Sequence, residues 1–267
     1  MGFRVLALFG FFTVIFTVIG ALIGVYIWGF QGFVSLGFVF FLISLAVNSL
    51  SYWYSPNIIL RKYNAKPSKD KDLNEMVDRL AINAKIPKPE VYVLPIDVPN
   101  SFATGKSKDK ASICVTEGLL KMNRGEIESV VSHEIYHIVN NDILIQNVTA
   151  VVANIVRSTI ELMPLAVFLV KLAISERREY RADYYGSRFS MKPKDMASAL
   201  SKMNEIARQN PIGSSPAFEC LWTVNPFRRE GLEGMFSTHP PAARRVKRVE
   251  DMEHEGIPEP PEPTEVD

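Results

Sequence analysis

Two long apolar runs dominate the start of the chain: Val5 to Trp28, 24 positions without a charge, and Phe30 to Trp53, broken only by Gln31, Asn48 and scattered Ser and Gly. As helices rising about 1.5 Å per residue, each would span roughly 36 Å, more than the roughly 30 Å hydrocarbon core of a bilayer. Gly29-Phe30-Gln31-Gly32 predicts a short turn between them, so residues 1–54 read as a transmembrane helical hairpin. A cleaved signal would carry a shorter apolar core followed by a polar chain, and here the apolar chemistry resumes. Beyond the hairpin the pattern changes to amphipathic periods. Leu73, Met76, Val77 and Leu80 predict a helix over 70–85, Glu90 to Leu94 a strand between prolines, and 100–116 a β-hairpin turning through Gly105 to Lys110. Ile127, Val130, Val131, Ile135 and Ile138 recur at helical spacing, with further helices expected over 165–189 and 194–209 and an irregular loop over 211–226. The fold class expected is mainly α with a small β-sheet.

Charge is distributed to match. Residues 1–54 hold one charged side chain, Arg4, whereas the whole chain holds 30 Lys and Arg and 29 Asp and Glu. Arg4 before the first run, and Arg61, Lys62, Lys66, Lys69 and Lys71 after the second, predict that both ends face the cytoplasm in a multi-pass cell-membrane protein. Glu250 to Asp267 has eight acids, four prolines and no Lys or Arg, a composition expected of a disordered tail. Three parts follow: the hairpin 1–54, a body 55–249 and the tail 250–267. A net charge of +1 gives no case for nucleic acid, and two cysteines exclude a disulfide-rich scaffold.

Candidate chemistry centres on His133-Glu134-Ile135-Tyr136-His137. On a helix, positions i and i+4 project from one face, so both imidazoles can bind one metal, and Glu134 stands where it can take a proton from a water at that metal. The flanking residues of this helix are apolar, and unliganded polar groups are costly to bury there. A catalytic zinc needs a third protein ligand. Glu179 is the best candidate, with Asp183 one turn on and able to hydrogen-bond the distal nitrogen of a ligand histidine.

These segments resemble the HtpX-like membrane zinc metalloproteases, relatives of the CAAX prenyl proteases. The resemblance runs from the N-terminal apolar runs to about Val249. It is carried by His133-Glu134-x-x-His137 followed by Asp142, by Arg178-Glu179-Tyr180-x-Ala182-Asp183, by Asn100-Ser101-Phe102-Ala103-Thr104-Gly105, and by Ser237-Thr238-His239-Pro240-Pro241 with Arg245. Ser101 stands where Ala is usual, and Glu176 where a basic residue usually follows Ser175. The resemblance implies a zincin-type, gluzincin-like domain holding one Zn2+ on His133, His137 and Glu179, with Asp142 and Asp183 behind the ligands. It implies Glu134 as general base and a substrate edge formed by Asn100, Ser101, Phe102 and Ala103. His239 reads equally as an oxyanion or substrate group and as a residue that opens the helix at Pro240-Pro241; Arg245 is a weaker substrate candidate.

A shared metal constrains the apolar stretch 149–174, which is interrupted by Arg157, Glu161, Pro164 and Lys171. One crossing there would put His137 and Glu179 on opposite sides of the membrane, and two crossings need about 40 residues before any turn. A helical hairpin turning near Met163-Pro164 and dipping into or lying against the bilayer is expected. The function that the resemblance implies is proteolysis of membrane or misfolded polypeptides at the bilayer. The rivals are a maturation protease for a membrane or lipidated substrate and a catalytically idle zinc-stabilised membrane adaptor.

Overall fold

The computed structural model describes residues 3–157, 176–212, 216–227 and 239–255. The fold is mainly helical with one small mixed sheet.

The N-terminal chain, charged only at its ends, forms α1 (Phe3–Lys62), interrupted at Trp28 and Gly29, where the backbone leaves helical geometry and Gly29 takes φ +63°. The two halves lie side by side. Asn48 Nδ2 donates to Phe9 O at 3.2 Å and to Thr13 Oγ1 at 3.0 Å, Phe40 packs on Gly20, and Gly37 on Ala21. Among the described residues α1 is the only element long and apolar enough to cross a bilayer. It does not end near residue 54 but continues through Pro56 to Lys62, because Ile59 is fully buried against the body.

The sheet runs in the order β1-β2-β4-β3. β1 (Lys66–Pro67), too short to leave a pattern in the sequence, pairs antiparallel with β2 (Glu90–Leu94). β2 is parallel to β4 (Ala111–Thr116), and β3 (Ser101–Gly105) pairs antiparallel with β4 at the edge, Ser101 opposite Val115 and Gly105 opposite Ala111. Side chains alternate across a strand, and here the alternation divides the apolar interior in two. Phe102 and Cys114 face a cluster with Val5, Leu8, Phe12, Ile59, Val148, Phe218 and Trp222. Ala103, Ile113 and Val115 face the other, with Leu80, Val130, Ile135, Met203 and Val249.

Around the sheet lie α2 (Lys71–Asn83), α3 (Arg124–Val139), α4 (Asp142–Arg157), α5 (Glu176–Ser190), α6 (Pro193–Gln209) and α7 (Ala242–Glu255). Asp70 caps α2 by accepting from Leu73 N at 3.1 Å, and the predicted stripe Leu73, Met76, Val77 and Leu80 is buried. α4, with a predominantly apolar face that buries Leu144, Ile145, Val148 and Val152, packs along α1. The turn and return arm expected near Met163-Pro164 lie outside the described residues. Two boundaries differ from the sequence reading. α7 continues to Glu255 instead of giving way to a tail at Glu250, since Met252 is turned into the protein. Within the expected loop 211–226, residues Pro216–Leu221 form a 3-10 turn that buries Phe218, Cys220 and Leu221.

Candidate metal centre

α3 buries polar groups that an ordinary core helix would exclude: Ser129, Ser132, His133, Glu134 and His137. His133 Nδ1 lies 3.0 Å from Asp183 Oδ1, and His137 Nδ1 lies 3.1 Å from Asp142 Oδ2. A ring N–H donated to a carboxylate fixes the tautomer and leaves Nε2 with its lone pair. The two Nε2 atoms face one another at 3.1 Å. Glu179 closes the triangle, its Oε1 3.6 Å from His137 Nε2 and its Oε2 3.8 Å from His133 Nε2. Glu179 Oε2 is buried and accepts no hydrogen bond. Two lone pairs and a carboxylate converging in a buried site repel unless a proton or a metal ion lies between them. Ligands about 2.0–2.1 Å from a tetrahedral metal sit about 3.3 Å apart, close to the spacings found, so this donor set fits a divalent metal.

The close approach of α5 to α3 depends on Gly186. A Cβ there would meet His133 N at 2.8 Å and His133 Cα at 2.9 Å. With no side chain at that point, α5 lies close enough for Asp183 and Glu179, one and two turns earlier, to reach the histidines.

The acids of the centre are neutralised from behind. Arg245 donates from Nε to Asp183 Oδ2 and from Nη2 to Asp183 Oδ1, both at 2.7 Å, and also to Thr223 O. Arg178 Nε donates to Asp142 Oδ1 at 2.8 Å. Burial pushes the Glu179 carboxyl up, but His239, His137 and Arg245 outweigh it and hold it well below the usual range. The same competition, with Arg245 and His133 as the opposing groups, keeps Asp183 low; His137 and Arg178 keep Asp142 low. Burial disfavours charge on His137 and His239, yet the neighbouring carboxylates raise both.

Glu134 is held by one oxygen: its Oε1 accepts from Ser101 Oγ at 2.7 Å and from Thr223 Oγ1 at 2.6 Å. Ser101 is the one expected substrate-edge residue in hydrogen-bond contact with the centre. Asn100 instead grips Val224, donating from Nδ2 to its carbonyl at 2.6 Å and accepting from its N–H at 3.2 Å. Phe102 stacks edge-on with Trp222 inside the apolar cluster, and Ala103 is buried on the opposite face. Arg245, expected near substrate, is instead buried in its pairs with Asp183, because those carboxylates need a cation more than the surface does. His239 does reach the centre. Its Nδ1 lies 3.3 Å from Glu179 Oε2 and its Nε2 3.0 Å from Glu219 O, so it faces a carboxylate of the candidate donor set rather than open space. Thr223, Arg178 and Glu219 escaped the sequence reading. Arg178 stands inside a quoted motif, but nothing in a loop threonine signals that it will contact a glutamate on α3.

A buried pair of histidines and a glutamate, with a second glutamate beside them and a small sheet edge alongside, define a metallopeptidase. Residues 67–253 match the family described as Peptidase family M48, and the chain belongs to that family. It is similar to the protein named Protease HtpX homolog of Pyrococcus furiosus, 39% identical over 264 residues that cover 86% of this chain and 90% of the relative. The Protease HtpX homolog of Salinibacter ruber is 35% identical over 276 residues, covering 94% and 97%. Among solved structures the chain resembles S. mikatae Ste24p, with a TM-score of 0.50 and 16% identity, over 89% of this chain and 66% of that one. At that identity the likeness is one of fold.

Proposed function

We propose that this metallopeptidase is a membrane-anchored zinc endopeptidase of the gluzincin type that hydrolyses peptide bonds in membrane or misfolded proteins, with α1 as a transmembrane hairpin and the body in the cytoplasm. The facing Nε2 atoms of His133 and His137, closed by Glu179 and flanked by Glu134, carry this reading. Zinc, when bound there, supplies Lewis acidity toward a water and a scissile carbonyl. Glu134 takes the proton from the attacking water and delivers it to the leaving amine. Ser101 and Thr223, by donating to Glu134 Oε1, aim its carboxylate. Asp142 and Asp183 fix the imidazole tautomers, and Arg178 and Arg245 keep those two acids ionised in a dry interior. His239 adds positive charge beside Glu179, where negative charge on a bound carbonyl would develop.

The membrane reading rests on α1, whose exposed residues include Leu22, Phe30, Val34 and Phe38, and its orientation on Arg4, Arg61 and Lys62 at the two ends. The deciding experiment is cleavage of casein and of a membrane protein by purified wild type, Glu134→Gln and chelator-treated protein. Glu134→Gln should lose about 10²–10⁴-fold in rate while still binding one zinc per chain. Undiminished cleavage by that variant would remove the mechanism.

A further inference from the structure

The turn between β3 and β4 lies beside α1, at a height that the pairing of the two α1 halves defines. Asn48 bonds to Phe9. Moving about one turn further from the break on each half brings Trp53 level with Val5, so both ends of the apolar span reach the same plane. From Gly29 to Trp53 the helix rises about 36 Å, enough to carry Trp53 through a hydrocarbon core of about 30 Å and into the headgroup layer. Tyr52, Trp53 and Tyr54 form the aromatic belt expected at that depth, with Trp53 and Tyr54 exposed.

Lys106 Nζ sits 4.5 Å from the centroid of the Trp53 ring. The turn that carries it is tight: Gly105 has φ +145°, and a Cβ there would meet Lys110 O at 2.3 Å. Lys106, Lys108 and Lys110 share this turn with a single acid, Asp109, and none of the three has an ion-pair partner among the described residues. At the other end of β3, Ser101 Oγ touches Glu134. Four strand steps, about 13 Å, therefore separate the lysine turn from the catalytic glutamate. The outward groups of β3 are taken at both ends, Ser101 O by Thr223 N and Gly105 O by Asn147 Nδ2. Those of Ala103, midway, face away from β4 without a hydrogen bond among the described residues.

We infer that the Gly105–Lys110 turn is a bilayer-contact surface that binds anionic headgroups, and that substrates are engaged as extended segments where they leave the bilayer. This rests on the membrane-protease reading and narrows its substrates to juxtamembrane segments, cleaved within about four to six residues of the bilayer boundary.

The test uses the full chain in nanodiscs of phosphatidylcholine and phosphatidylglycerol. A fluorophore on Lys108→Cys should be quenched by headgroup spin-labelled lipid, and one on Ser201→Cys, on α6 across the sheet from α1, should not. Cys114 and Cys220 are buried and stay unlabelled. No quenching at position 108 overturns the surface. In parallel, single-span substrates carry a cleavable segment either at the bilayer boundary or after a long flexible spacer. Wild type should favour the first, and charge reversal of Lys106, Lys108 and Lys110 should lower its cleavage relative to casein by roughly fivefold or more. Equal cleavage of both substrates overturns the juxtamembrane assignment. Failure to cleave any substrate, casein included, refutes the protease reading itself, and the quenching still decides the surface.

Discussion

α1 and α3 break the same rule in opposite directions. α1 turns large apolar side chains outward, Leu22 at 62% and Phe30 at 82% exposure, whereas α3 seals His133, Glu134 and His137 inside. Soluble proteins rarely expose so continuous an apolar face or bury so many titratable groups on one helix. On the function proposed above, hydrocarbon around α1 completes the first inversion and a cation between the groups that α3 presents completes the second. The difference lies in tolerance. The α1 face needs only to stay apolar, while the α3 face needs particular atoms within fractions of an ångström.

Changing one charge on each helix's account should separate the two demands. Arg245→Met strands Asp183 and Glu179 in a dry interior, and metal-free protein should lose about 3–5 kcal/mol in denaturant unfolding. An unchanged midpoint would mean that those carboxylates are neutral or hydrated. Leu22→Arg places a charge on the outward face of α1 and should cost about 2.5–3.5 kcal/mol in a membrane-insertion assay, with Leu22→Ala far milder. Equal insertion of the two would show that this face does not meet lipid. Gly186→Ala drives a methyl into the His133 backbone and should cost about 1–3 kcal/mol, with weaker zinc binding measured by competition with a chromophoric chelator. Wild-type affinity would show that α5 can step back without disturbing Glu179.

The smallest effect is a pH dependence. Asp142 has its carboxyl lowered on folding, so its contribution to stability is complete above its unfolded pKa, near 4, and fades as pH falls through the folded value. Metal-free wild type should therefore lose stability more steeply below about pH 4 than Asp142→Asn, a contrast measurable by thermal unfolding across pH.

Much of the centre was legible because its parts are local. Two histidines four apart on a helix must share a face, and an acid one turn beyond Glu179 must share its side of α5. What stayed hidden depends on approach between distant segments. Thr223 meets Glu134 only because Asn100 anchors Val224 against β3, and no spacing of residues encodes that. The arginines of α5 suggest a solvated, salt-bridged helix, and Arg178 is instead buried on Asp142 at the start of α4, because one face of α5 lies against α3 and α7. The long helix past residue 54 was masked by the return of charge at Arg61, which marks a change of solvent and not of secondary structure.

Phe12 and Ile59 of α1 close the same apolar cluster as Phe102 and Trp222. α1 and the body thus share one apolar core, and removing residues 1–62 would strip one wall from the interior that supports β3. A version of this chain without that segment would need new apolar cover for Phe102, Cys114 and Trp222.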